Sequence, residues 1–195
     1  LATVGWAWLP AADVNMLNQT AVLMVAAILM VLVAGVVLPR IAAEGDPWAV
    51  CGRRMTAGLG GLAGVALAAI LIQEAWLFEP EGGAPMATWS VVCVTAALAG
   101  LIVALLTFAV SPARDPLRLS GRGRTFYVYA SEAIGGLIAL HLYLAEPNLF
   151  QLGLMEQYWM LLVIGIAFLG AGLSEWFHRL GMPVLGEPLA NTAVF

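Results

Sequence analysis

Residues 125–145 read TFYVYASEAIGGLIALHLYLA. The stretch is long enough to cross a bilayer, because about 20 helical residues at 1.5 Å each cover a hydrocarbon core of about 30 Å. It nevertheless holds a carboxylate, Glu132, and an imidazole, His141, among Gly, Ala, Leu and aromatic residues. An ionisable group inside a membrane costs about 2.5–3.5 kcal/mol on insertion scales, so it turns toward protein or a cavity and marks a candidate site.

Four further stretches have the same character, at about residues 16–38, 55–78, 88–110 and 158–177. With 126–145 they predict five spans, each bounded by Pro, Gly or charge, where helices stop. The runs are continuously apolar and do not alternate with period 2, which excludes a membrane barrel. Composition agrees: 62% of the 195 residues are apolar and 10% are charged, against roughly 25% charged in a soluble domain. The expected fold is therefore all-α, a polytopic helix bundle forming one membrane-embedded domain.

Charge orients the bundle. All eight basic residues are arginines, and they fall on alternate connections: Arg40, Arg53 and Arg54 between spans one and two, Arg114, Arg118, Arg122 and Arg124 between three and four, and Arg179 after five. The other connections carry Asp13, Glu79, Glu81, Glu146 and Glu156 and no basic residue. The positive-inside rule then places the N-terminus outside and the C-terminus inside, as in a bacterial cytoplasmic membrane. Aromatic residues near the predicted ends, among them Trp76, Trp89, Trp159, Trp176, Tyr143 and Tyr158, suit the headgroup layer. Trp6 and Trp8, before Pro10, suit it equally. The chain begins at Leu1 and ends in LANTAVF, which reads as the opening of another apolar run, so a piece of a longer polytopic protein is expected.

Helical geometry sorts the ionisable groups. At 100° per residue Glu132 shares a face with Tyr129, Gly135 and Gly136, whereas His141 points about 180° away. Glu132 is expected to look into the bundle, about 9 Å from the arginine-side boundary. Spans four and five, joined by a short loop, should pack antiparallel. That would bring Ser174, Glu175, His178 and Arg179 toward Tyr129 and Glu132. Glu175 and Arg179 also stand in the favoured order for an i,i+4 ion pair. Glu74 lies at the depth of His141 and forms a candidate outer polar pair with it. In span two, Ala57, Gly61, Gly64, Ala68 and Ala75, with a Gly60-xxx-Gly64 pair, predict a close helix contact.

Arg114, Arg118, Arg122 and Arg124 are candidate contacts for anionic headgroups or phosphate, since each basic residue near an anionic surface contributes about 1 kcal/mol. SGRGR has no strand and helix context, so no nucleotide loop is predicted. The sequence holds no HExxH, GxSxG, GxxxxGK[ST] or CxxC, and neither Cys51 nor Cys93 has a His near it in sequence. No metal, cofactor or catalytic residue is expected. His141 and His178 lie near opposite surfaces and cannot be paired ligands of one haem. A net charge of −4 argues against nucleic acid. Two functional readings follow. The first is a non-enzymatic, structural or complex-forming part of a larger membrane protein, with lipid and further transmembrane helices as partners. The second is a secondary transporter or proton-coupled protein in which Glu132 titrates.

Overall fold

A computed structural model describes residues 12–41, 47–78, 88–145 and 154–194. All the regular structure in them is helical. Helix α1 spans Ala12–Leu32 and continues through a π-helical segment, Val33–Val37, into a last turn, Leu38–Ile41. Helices α2 to α6 span Pro47–Leu77, Thr88–Val110, Thr125–Ala145, Leu154–Arg179 and Pro183–Val194. Among the described residues four stretches are long and apolar enough to cross a membrane: Leu17–Arg40, Pro47–Leu77, Thr88–Val110 and Arg122–Ala145. The fifth expected span falls within α5, where the side chains of Leu154 to Gln157, Trp159, Leu162 and Val163 lie outside the described residues. Trp6, Trp8, Glu79, Glu81 and Glu146, and the side chains of Asp13 and Glu156, also lie outside them.

Two expected boundaries move. The first helix does not stop at Pro39 but runs to Ile41. A proline ring clashes with the carbonyl four residues back, and here that carbonyl belongs to Gly35 in the π-segment, where the Leu38 N–H reaches back to the Val33 carbonyl. The wider turn makes room for the ring. Helix α2 starts at Pro47, eight residues before the expected Met55, so Arg53 and Arg54 lie within it. Hydropathy marks where a helix is apolar, whereas proline in the first helical position marks where it begins.

Helices α1 to α4 form the bundle. Helix α1 packs along both α2 and α3, and α3 along α4. The fourth side, between α2 and α4, is only lightly closed. The core runs through the middle of this ring, with Leu23, Ala27, Ala34, Ile70, Val94, Leu98, Ala104 and Phe108 all buried. Ala and Gly let the helix axes come close, which supplies the packing that lipid does not drive.

Helices α5 and α6 form a hairpin outside this ring. Helix α5 ends in a Schellman motif: Gly181, at φ +72°, donates to the His178 carbonyl, and Met182 donates to that of Phe177. Glycine supplies the left-handed turn, and Pro183 opens α6. Ser174 Oγ donates to the Gly186 carbonyl at 2.7 Å, and His178 Nδ1 donates to the Ser174 carbonyl at 2.9 Å. A Cβ at Gly186 would lie 2.3 Å from His178 Nδ1. Glycine is therefore what allows the two helices to meet there.

Candidate functional site

Helices α2 and α4 meet at a buried polar pair. His141 Nδ1 lies 2.7 Å from Glu74 Oε1, both side chains are 0% exposed, and His141 Nε2 faces the Val91 carbonyl of α3 at 3.4 Å. A donor on Nε2 leaves two arrangements of the shared proton: imidazolium with carboxylate, or imidazole with carboxylic acid. Both are neutral overall, which is how such a pair tolerates complete burial. Glu74 Oε2 is buried without a hydrogen-bond partner. Nearby on the neighbouring helices, the buried hydroxyls of Thr20 and Ser90 lie 3.4 Å apart.

Glu132 lies elsewhere, on the face of α4 that meets α6. Thr192 Oγ1 donates to Glu132 Oε1 at 3.4 Å, and Asn191 Nδ2 donates to the Tyr129 hydroxyl at 2.9 Å. Glu132 Oε2 is buried and unpaired. The partners expected on α5 are not there. Glu175 and Arg179 form an exposed pair of their own, Nε to Oε1 2.9 Å, with side chains 64% and 77% exposed. His178 and Ser174 are taken up by the hairpin. Among the described residues spans four and five thus do not pack as expected, because α6 folds back from the Gly181 turn and packs beside α4. The LANTAVF segment lies largely in this twelve-residue helix.

The glycine stripe of α2 is a second correction. A Cβ added at Gly61 or Gly64 would meet no atom within 4 Å, and one at Gly60 would meet only the end of Met30. Among the described residues no other helix presses on Gly61 or Gly64. The stripe lines an apolar groove of about 680 Å³ between α2 and α4, floored by Met30 of α1 and Leu101, Leu105 and Phe108 of α3. Helices α2 and α4 are joined at Glu74 and His141 and stand apart from there toward the arginine end.

At that end the four loop arginines separate. Arg124 Nη1 donates to the Ala109 carbonyl at 3.1 Å, satisfying the C-terminus of α3 as basic side chains often do. Arg122 and Arg124 share the wall of a cleft of about 550 Å³ with Pro183 and Glu187 of α6. Arg114 and Arg118 are not on that wall.

One organising residue is absent from the candidates named by sequence. Asp115 is buried and accepts the Leu117 N–H at 2.9 Å, the Leu119 N–H at 2.6 Å and the Tyr127 hydroxyl. It ties the loop to α4. The signal is Asp-Pro in SPARDPLRLSGRGR, since Asp before Pro favours a turn in which the carboxylate binds the following backbone. Among the described residues no three His, Cys, Asp or Glu side chains gather as a metal site requires.

Together these features define the class as an all-helical membrane bundle. Compared with protein-family models, with curated proteins and with solved structures, the chain matches none.

Proposed function

We propose that this chain is a non-enzymatic, complex-forming part of a larger membrane assembly, in which α1 to α4 make the scaffold and α5 receives a transmembrane helix of another subunit. The observation that carries this reading is the surface of α5. Tyr158, Met160, Leu161, Ile164, Ile166, Phe168 and Leu169 are each 50–76% exposed. Gly165 and Gly172, seven residues apart and so on one face, have open space where a Cβ would be. Small residues flanked by large apolar ones are how membrane helices admit a partner's backbone.

The orientation proposed has the arginine end in the cytoplasm of a bacterial cell, with Arg114, Arg118 and Arg122 on anionic headgroups. The proton-coupled reading would assign Glu132 to an inner exit lined by Glu175, His178 and Arg179. The contacts to Thr192 and the separate Glu175–Arg179 pair give that reading no support.

The test is to replace Gly165 and Gly172 together by Leu. A Cβ at either position would meet no atom within 4 Å, so the fold of the chain should be retained. In mild detergent the parent should migrate in native electrophoresis well above the size of the chain, and the variant as the chain alone. Equal migration of the two would overturn the proposal.

A further inference from the structure

We propose that the groove between α2 and α4 binds an anionic phospholipid of the arginine-side leaflet, with one acyl chain lying along the glycine stripe and the headgroup held by Arg53. The groove extends along α2 from Thr56 to Leu71, about 22 Å at 1.5 Å per residue. Its lining is almost wholly apolar, and a hydrocarbon chain suits an apolar groove of that length.

The wall makes no polar demand. The Thr56 hydroxyl already donates to the Gly52 carbonyl at 2.8 Å, and the Tyr127 hydroxyl is engaged by Asp115. No charged side chain lines the groove.

The headgroup assignment rests on Arg53. On α2 it stands in line with Ala57, Gly60, Gly64 and Leu71, at steps that keep to one helix face. Its Cβ leans toward the helix N-terminus, beyond the inner end of the groove. Arg53 is partly buried, and its Nε and Nη1 atoms are buried without a hydrogen-bond partner. Such unpaired guanidinium donors call for an anionic oxygen. Arg54, about 100° round the helix, is exposed. At the far end the Glu74–His141 contact closes the gap between the helices, so the site is open toward one leaflet.

Native mass spectrometry of the delipidated full chain, titrated with phosphatidylglycerol and with phosphatidylcholine of equal chain length, tests the proposal. The parent should take up phosphatidylglycerol at about fivefold lower concentration, the effect of one basic contact. Arg53→Gln should remove that preference, and Arg54→Gln should keep it. Gly64→Leu, whose Cβ would meet no atom within 4 Å, puts a side chain into the groove and should weaken both lipids severalfold. Equal loss of the preference in Arg53→Gln and Arg54→Gln would reduce the effect to surface charge and overturn the site. Unchanged uptake of both lipids by Gly64→Leu would overturn it too. So would a dimer in the parent that Gly64→Leu abolishes, because the occupant would then be a second copy.

Discussion

The two ends of the α2–α4 pair differ more than their sequences suggest. At one end Glu74 and His141 meet at 2.7 Å, fully buried. At the other, Gly60, Gly61 and Gly64 line an open groove. The polar end is closed and the small-residue end is open. Small residues permit close approach of two helices, but a directional contact whose loss would leave a buried charge enforces it. Glu132 reinforces the contrast: it sits on the same helix as His141 but is only partly buried, and its partner comes from α6.

The largest expected effect comes from breaking the closed end. Either Glu74→Leu or His141→Leu alone should lower stability by about 3–5 kcal/mol, because one buried polar group loses its partner. Glu74→Leu with His141→Leu should recover most of that loss. Thermal inactivation of the purified chain in detergent reads both, and a double variant as unstable as the single ones would mean that the contact is not what joins the helices.

Asp115→Ala should come next, at about 2–3 kcal/mol. It strips the acceptor from the Leu117 and Leu119 amides and the Tyr127 hydroxyl, and unmet buried donors cost about 1–3 kcal/mol each before water enters. The arginine loop should then become protease-sensitive while the Glu74–His141 end stays intact.

Gly186→Ala should cost about 1–3 kcal/mol through overpacking against His178. Its effect should stay in the hairpin. A Cβ at Gly170 lies 3.4 Å from that of Ala193, close to disulfide geometry. Cysteines at these two positions should therefore cross-link on mild oxidation, and much less so when Gly186→Ala is added.

Glu132→Gln should have the smallest effect, under about 1 kcal/mol, since an amide oxygen still accepts from Thr192. A large loss of stability in this variant would erase the distinction drawn between the two carboxylates.

Much of this architecture is legible in the amino-acid sequence. Hydropathy places α3 at residues 88–110 and α4 within one residue of its observed start, because uninterrupted apolar runs leave little choice of boundary. The depth of Glu74 and His141 in their spans puts them at one level, and the fold brings them into contact. The partners of Glu132 are not legible, because they depend on a helix that hydropathy does not mark. Helix α6 has twelve residues and Pro188 inside it. Its sign is the punctuation Gly181-Met182-Pro183, a left-handed stop followed by a helix start. The glycine stripe misleads for another reason: spacing identifies a face that can accept a neighbour, and says nothing of whether this chain supplies one.

The most direct measurement is site-specific cross-linking in the native membrane. Single cysteines would be placed at Gly172 on α5 and at Val65 on α2, which is 70% exposed, after replacement of Cys51 and Cys93. A docking role for α5 requires a cross-link from position 172 to a transmembrane segment of another polypeptide, and none from position 65. Cross-links at neither position, or equally at both, would contradict the assignment of α5 as the docking helix of this bundle.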